Sequence, residues 1–291
     1  FIGIYLQKYI DKIKDFNELV MFEHSIFSLP FIFIAMVVAA DGWFGFTLLI
    51  FGVLAAVSAR NFAMGLNRFA DRDIDADNPR TESRPSVDGR IDASSILIFI
   101  AVNAFVFVAV AYMINSLAFW LSFPILFVLG SYSYFKRFSS LAHIILGISL
   151  GLAPIAGVIA VSAEITPWSV LLSLGVIFWV AGFDLLYSLQ DIEFDIQNNL
   201  HSIPSKYGSD ATLFISSIFH GLSVVFWAMF VWVASLGVFA WTAVVLSAFM
   251  LGYEHHLVRK DFTKIDRAFF TVNGYLGIFF FILVVMDRLA V

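Results

Sequence analysis

Acidic and amide side chains recur at helical spacing in two separate stretches of the 291-residue sequence. The first row consists of Asn67, Asp71 and Asp75, and the second consists of Asp184, Asp191 and Asp195. Residues four or seven positions apart lie on one face of a helix, so each row would present its side chains in one direction. Both rows come at the end of a long apolar run, where a membrane-spanning helix would meet water.

Oxygen-rich rows of this kind are typical of sites for hard divalent cations. Mg²⁺ often uses a few carboxylates together with water and substrate phosphates, so two facing rows would hold Mg²⁺ ions that bridge a diphosphate. The bound ions would neutralise the diphosphate and make it a good leaving group. Basic side chains that could add phosphate contacts are Arg72, Arg80, Arg84, Lys136 and Arg137.

The alternative is that these charges are ordinary solvated side chains at helix ends. We prefer that interpretation for the remaining acids nearby, which are Asp73, Asp77, Asp88 and Glu193. For one row alone, the alternative would be about as convincing as a site. Two rows at equivalent helix ends, each followed by a polar loop, favour a site.

A single arginine lies inside an apolar run. Arg60 precedes Asn67 by seven residues, which places it on the same helical face and roughly 10 Å deeper. A charged side chain inside a membrane is costly and normally faces a cavity or a partner. We favour a role in holding the carboxylate of an acceptor substrate, with a structural ion pair to Glu23 as the alternative. His143 is a further candidate for a pocket.

The elements that must position these residues are membrane-spanning helices. The chain is 60% hydrophobic and 13% charged, with a mean hydropathy of +0.90 and no cysteine. Runs of about 20 apolar residues are what a bilayer requires of a spanning helix. Nine such runs are predicted, at 19–40, 44–70, 93–114, 117–135, 141–161, 168–189, 211–234, 238–256 and 267–289. We therefore expect an all-α integral membrane protein in which residues 1–291 form one domain.

The cations are sorted to one side of this arrangement. Of the 17 Lys and Arg residues, all but Arg60 and Arg288 fall at the ends or loops that carry the acidic rows. By the positive-inside rule that side is cytoplasmic. We expect a multi-pass protein of the inner (plasma) membrane whose site opens to the cytoplasm.

These motifs resemble those of the UbiA superfamily of intramembrane prenyltransferases. The first motif matches Asn67-x3-Asp71-x3-Asp75 with Arg80-Thr81-x2-Arg84-Pro85, and the second matches Asp184-x2-Tyr187-x3-Asp191-x3-Asp195. The stretch Tyr132-x-Tyr134-x-Lys136-Arg137 is similar to the basic segment between them. The resemblance spans the whole chain. One departure is Arg68, where many members of the family carry an aspartate.

The resemblance implies a bundle of nine helices around a central cavity, capped by cytoplasmic loops. Carried over position by position, the ligands of the Mg²⁺–diphosphate would be Asn67, Asp71, Asp75, Asp191 and Asp195. Lys136 and Arg137 would contact the diphosphate, and Arg60 the carboxylate of the acceptor. The second motif is most similar to the 4-hydroxybenzoate polyprenyltransferase branch, which also includes enzymes proposed to act on dihydroxynaphthoate.

The hypothesis is Mg²⁺-dependent transfer of a polyprenyl group from its diphosphate to the ring of an aromatic acid in quinone biosynthesis. We favour 4-hydroxybenzoate as the acceptor, with a dihydroxynaphthoate of menaquinone biosynthesis as the alternative. Tyr132 and Tyr187 could line an isoprenoid tunnel and stabilise an allylic cation through their ring faces. Asp71, Asp191 or the released diphosphate would take the proton. The expected partners are the two substrates and the lipid bilayer, and no nucleic acid.

Two other classes of function stay open at this point. A cation-coupled transporter would also place acids in its helices, although usually near the middle of the membrane. Within the prenyltransferases, haem farnesylation and chlorophyll-type prenylation are alternatives, and a buried arginine suited to a small carboxylate argues against both.

Overall fold

The computed structural model describes residues 2–21 and 29–289 of the protein. Helices account for nearly all of this part, and it contains no strand. The α-helices are α1 (Ile2–Leu19), α2 (Leu29–Ala39), α3 (Phe46–Ala70), α4 (Arg72–Asp77), α5 (Ala93–Ile114), α6 (Ser116–Phe135), α7 (Ala142–Ser162), α8 (Pro167–Tyr187), α9 (Ile192–Gln197), α10 (Ile203–Val233), α11 (Val238–Lys260), α12 (Ile265–Arg267) and α13 (Asn273–Leu289).

The predicted all-helical membrane fold is confirmed. Within the described residues, eight helical segments are long and apolar enough to cross a bilayer. They correspond to α3, α5, α6, α7, α8 with α9, α10, α11, and α13 with the turn before it. The predicted count of nine is not confirmed. The first predicted span, 19–40, is represented by the 11 residues of α2, and residues 22–28 lie outside the described part.

Helix α8 is the centre of the bundle. It packs between α7 and α10, and its Trp179 is fully buried. The Trp179 ring lies 5.1 Å from that of Phe31 on α2 and 6.0 Å from that of Trp227 on α10. Aromatic side chains bury large areas in contacts of this kind. The core therefore fixes α8, which carries the second acidic row, against its neighbours.

Glycines allow α8 to approach the helices on both sides. A Cβ atom on Gly147 of α7 would lie 2.4 Å from the carbonyl oxygen of Ile177, and one on Gly182 would lie 2.3 Å from the ring of His220. Small residues at helix interfaces are a general means of close packing in membranes, where lipid is as apolar as the helix surface. Helices α7 and α8 can therefore lie this close together because Gly147 has no Cβ atom.

A string of buried polar side chains joins the helices on the other side of α8. Trp179 Nε1 donates to Asn273 Oδ1 at 2.7 Å, and Asn273 Nδ2 donates to Glu254 Oε1 at 2.7 Å. Nδ1 of His220 lies 3.0 Å from Nε2 of His255. Hydrogen bonds between helices satisfy polar groups that lipid could not. This string ties α8 to α10, α11 and α13.

The longer loops meet at one end of the bundle, which we call the polar end: residues 71–92, 136–141, 188–202 and 261–266. There the amphipathic α1 is bound to the loop after α4. Arg90 forms ion pairs with Glu18 at 2.6 Å, Asp88 at 2.7 Å and Asp15 at 3.2 Å. The loop between α4 and α5 is thereby folded back over the bundle rather than extended into water.

The close contact of α7 and α8 can be tested with alanine. We expect Gly147→Ala to destabilise the protein by about 1–3 kcal/mol, because the new methyl group meets backbone that cannot move independently of α8. Gly221→Ala is the matched control, since a Cβ there has no neighbour within 4 Å. The thermal midpoint of unfolding in detergent measures both. Equal midpoints for the two variants would contradict the packing of α7 on α8.

Candidate active site

The first acidic row lies where a long helix breaks. Helix α3 ends at Ala70, and Asp71 leaves helical geometry with φ −96° and ψ 7° before α4 begins. The turn is nevertheless continuous, because the Asp75 amide donates to the Asp71 carbonyl at 2.7 Å. Asn67 Nδ2 donates to Asp71 Oδ2 at 2.8 Å. The three side chains of the row are thus brought to one place at the polar end.

Both carboxylates of this row are almost fully buried. Asp71 is 2% exposed and Asp75 is 4% exposed. Each is paired with a cation from a neighbouring segment: Lys136 Nζ lies 2.7 Å from Asp71 Oδ2, and an Arg84 guanidinium nitrogen lies 2.7 Å from Asp75 Oδ1. Burial raises the pKa of the Asp71 carboxyl above its ordinary value, although the charge and hydrogen bond of Lys136 oppose that shift.

One oxygen of each carboxylate is left over. Asp71 Oδ1 and Asp75 Oδ2 are buried, and neither has a hydrogen-bond partner within the described residues. A buried carboxylate oxygen without a partner is costly, so an arrangement of this kind suits an incoming cation. No group of three acids or histidines in the described part is arranged as a complete metal site. The donor set therefore fits Mg²⁺ that also takes ligands from a phosphate and water.

The second row has the same design. Helix α8 ends at Tyr187, a 3₁₀ turn follows over Ser188–Asp191, and α9 begins after it. Asp195 Oδ2 accepts a hydrogen bond of 2.7 Å from Ser202. Asp191 lies in the tighter turn, so both rows turn at a break in the helix instead of running along one straight face.

The loop after the first row reaches the second row. The Arg80 guanidinium holds both oxygens of Asp191, at 2.9 and 2.5 Å, and Asn78 Nδ2 lies 3.3 Å from Asp191 Oδ1. Arg80 also donates to the Tyr187 hydroxyl at 3.2 Å. Burial would lower the pKa of Arg80, but its hydrogen bond to Asp191 and the charge of that carboxylate prevail and raise it. The structure therefore connects the loop after the first row to the second row through the Arg80–Asp191 ion pair and the Asn78 hydrogen bond.

Two of the five predicted phosphate-binding side chains contact other groups. Arg137 is bound to Asp73 at 2.7 and 3.0 Å and to the Ala70 carbonyl at 2.6 Å. The hydrogen bond from Arg137 lowers the pKa of the Asp73 carboxyl to about 2. Arg72 donates to the Ser86 carbonyl at 3.2 Å. The other three, Arg80, Arg84 and Lys136, contact the acidic rows.

A central cavity of about 330 Å³ opens between the rows and the middle of the bundle. Its walls are mostly apolar and include alanines of α3 and α7, together with Phe107, Leu129 and Phe183. The polar side chains that line it are Arg60, Asn67, Arg68, Arg84, Tyr132, Ser149, Asp184 and Tyr187. An apolar chamber with a few polar groups is the usual form of a small-molecule site.

Arg60 lines this cavity, and part of its guanidinium is already bound. Its terminal nitrogen donates to the Met21 carbonyl at 2.9 Å and to the Val20 carbonyl at 3.2 Å. Its Nε is buried and has no hydrogen-bond partner within the described residues. Glu23, the alternative partner considered from the sequence, lies outside that part. Arg60 therefore binds carbonyl groups of the segment after α1, and its Nε–H group remains available to a ligand.

Two contributors to the site did not follow from the residue pattern, and a third, His143, was expected only as a pocket candidate without a partner. Arg68 is off the face of the first row, yet it is buried, lines the cavity and donates to Asn67 Oδ1 at 3.2 Å. Asn78 binds Asp191 across the cleft. His143 lies 2.7 Å from Asp184. Only the intramembrane position of His143 was a signal in the sequence, because the other two depend on how loops and helices meet.

Comparison with known proteins gives consistent results. The chain is 28% identical over 266 residues to a protein from Aromatoleum aromaticum named 4-hydroxybenzoate octaprenyltransferase, and 88% of this chain and 87% of that protein are covered. Among solved structures, an apo UbiA homolog from Aeropyrum pernix K1 superposes with a TM-score of 0.83 at 31% identity, covering 91% of this chain and 98% of the other.

A second solved structure, a UbiA homolog from Archaeoglobus fulgidus bound to DMAPP and Mg²⁺, has the same fold, with a TM-score of 0.76 at 17% identity over 95% of this chain and 100% of that one. The sequence profile described as the UbiA prenyltransferase family matches residues 28–284. With the paired acidic rows and the apolar cavity beneath them, these matches lead to one conclusion: the chain belongs to the UbiA prenyltransferase family.

Proposed function

We propose that the protein transfers a polyprenyl group from its diphosphate to the ring of 4-hydroxybenzoate in ubiquinone biosynthesis, with release of diphosphate. One observation carries the proposal. At the polar end, Lys136 and Arg80 pair with acids of the two rows, and an apolar cavity lined by Arg60 lies beneath them. The names of relatives such as the Aromatoleum protein support the same acceptor.

Mg²⁺ is the cofactor we propose, and the chain supplies suitable oxygens for it. Asn67, Asp71 and Asp75 would hold it on one side of the cleft, and Asp191 and Asp195 on the other. Bound Mg²⁺ neutralises a diphosphate and improves it as a leaving group. Asp71 and Asp75 each have one buried oxygen without a hydrogen-bond partner in the part of the chain that the structure describes, and these oxygens fit such an ion.

The cations of the site can pair with the carboxylates of the two rows or with the diphosphate. Without substrate, Lys136, Arg80 and Arg84 neutralise Asp71, Asp191 and Asp75. A diphosphate offers each of them a second anion in charge-assisted hydrogen bonds. We propose that these three side chains turn part of their donors to the diphosphate, which frees carboxylate oxygens for the metal. Arg72 and Arg137 would add a more distant positive field.

The cavity walls determine what happens after the diphosphate leaves. An allylic cation requires a chamber from which water is excluded, and the apolar walls provide it. The ring of Tyr187 packs on Phe269 with centroids 4.5 Å apart, and Tyr132 lines the wall nearer α3. Aromatic faces stabilise a neighbouring cation. These side chains would hold the cation until the acceptor ring attacks through the carbon next to its hydroxyl-bearing carbon.

We also propose that the polar end faces the cytoplasm of the cell that makes the protein, at its inner membrane. The sorted lysines and arginines support this orientation. It gives a water-soluble aromatic acid access to the site while the polyprenyl tail stays in lipid. A transporter is disfavoured, because the acids lie at helix ends and the chain belongs to a family of prenyltransferases.

The metal role can be tested at one residue from each row. We expect Asp71→Ala and Asp191→Ala each to lower the transfer of radiolabelled prenyl groups in detergent by at least about 10²-fold, because charge stabilisation at the leaving group is lost. Asp77→Ala is the matched control, since Asp77 is exposed in the same segment as Asp75. Near-normal activity of either site variant would reject the metal role, and so would full activity of the wild-type protein in the presence of excess chelator.

The acceptor role of Arg60 predicts a selective defect. Loss of a charge-assisted hydrogen bond costs about 1.5–3 kcal/mol, so Arg60→Gln should raise the KM for 4-hydroxybenzoate about 10- to 150-fold. The methyl ester of the same acid carries no charge, and its KM should hardly change. Binding of the prenyl diphosphate should be preserved. An equal rise of the KM for acid and ester would show that Arg60 serves the structure alone. Dihydroxynaphthoates offered in the same assay would show which acid is preferred.

A further inference from the structure

The proposed reaction releases one proton, for which the sequence suggested Asp71, Asp191 or the released diphosphate as the acceptor. When the ring carbon bonds to the prenyl group, that carbon must lose its hydrogen to recover aromaticity. Asp71 is held by Lys136 and Asn67, and Asp191 is held by both arms of Arg80. The oxygens of these carboxylates would be occupied by the cations and by the metal during the reaction, so they are not placed to accept a proton from the ring. The acids of the two rows are therefore poorly suited to this step.

Asp184 is in a different situation. It lies on α8, seven residues before Asp191 and roughly 10 Å nearer the middle of the membrane. It lines the cavity, and 23% of its side chain is exposed there. No lysine or arginine forms an ion pair with it within the described residues. It is thus the carboxylate that lies beside the apolar chamber instead of at the polar end.

His143 holds this carboxylate in place from behind. Its Nδ1 lies 2.7 Å from Asp184 Oδ2, and 6% of its side chain is exposed. Its Nε2 is buried without a hydrogen-bond partner in the described part of the chain. The close contact of α7 with α8 at Gly147, one turn along the same helix, fixes the distance between the two side chains. His143 therefore fixes the orientation of the carboxylate that lines the cavity.

We propose that Asp184 is the proton acceptor of the reaction and that His143 is the residue that positions it; this rests on the proposed function. The bond between the prenyl carbon and the diphosphate oxygen breaks, and the diphosphate leaves with the electron pair. A ring carbon bonds to the prenyl carbon. Asp184 then takes the proton from that ring carbon, the C–H electron pair returns to the ring, and the proton passes to water when the product leaves.

The position of Asp184 separates two tasks along α8. The diphosphate would be bound and released at the turn that carries Asp191, while the ring would react one or two turns deeper. Arg60 lines the same cavity from α3, so an acid held there would extend its ring between α3 and α8. Proton removal would thereby occur away from the metal, at a carboxylate that lines the cavity.

The test compares an acceptor deuterated on its ring with the ordinary acceptor. For the wild type we expect the rate to be the same for both, because loss of the diphosphate limits turnover. For Asp184→Asn we expect kcat to fall on the order of 10²–10⁴-fold, as for loss of a general base, and a primary isotope effect to emerge because proton removal has become slow. Mg²⁺-dependent binding of the prenyl diphosphate should be unchanged. Asp77→Asn is the matched control.

Two variants of His143 give an independent measurement. The amide nitrogen of asparagine can take the place of Nδ1, so His143→Asn should keep most of kcat, whereas His143→Leu should lower kcat, leave the KM unchanged and show the isotope effect. Equal kcat values for these two variants, or turnover of Asp184→Asn at the wild-type rate without an isotope effect, would overturn the assignment. A wild-type protein that binds prenyl diphosphate but prenylates no aromatic acid would instead reject the proposed function itself, and the assignment with it.

Discussion

Buried negative charge at the polar end is the constraint on which the rest of the structure depends. Asp71 and Asp75 are nearly inaccessible to water, and removing ionised carboxylates from water is costly unless opposite charges accompany them. Lys136, directly after α6, and Arg84, in the loop between α4 and α5, supply those charges. Because each carboxylate still has one oxygen without a partner among the described residues, compensation is incomplete, and the site is prepared for further positive charge.

The helix breaks follow from the same constraint. A straight α3 would carry its acids past the end of the bundle into water, whereas the change of backbone direction at Asp71 returns Asp75 and the following loop to the bundle. The break after Tyr187 does the same for the second row, and Arg80 then closes the cleft by binding Asp191. The buried Trp179 side chain and the close approach of α7 at Gly147 hold α8 in the position where Arg80 can reach Asp191.

The sequence was informative about the fold and about which residues meet at the polar end. Apolar runs showed the spanning helices, and residue spacing placed Asn67 next to Asp71. The spacing did not reveal that Asp191 lies in a 3₁₀ turn, that Arg137 binds Asp73, or that Arg68 enters the cavity from the other face of α3. Those features depend on contacts between distant segments, which periodicity along one helix does not encode. The same holds for the partner of His143 on α8.

The most direct measurement is electron paramagnetic resonance of Mn²⁺, used in place of Mg²⁺, in the presence of a thiolodiphosphate analogue of the prenyl donor. If acids from both helix ends share divalent ions with one diphosphate, the Mn²⁺ signal should carry a hyperfine coupling to ³¹P. That coupling should be lost in Asp71→Ala and in Asp191→Ala alike. Full ³¹P coupling in either variant would contradict a site built jointly from the two rows.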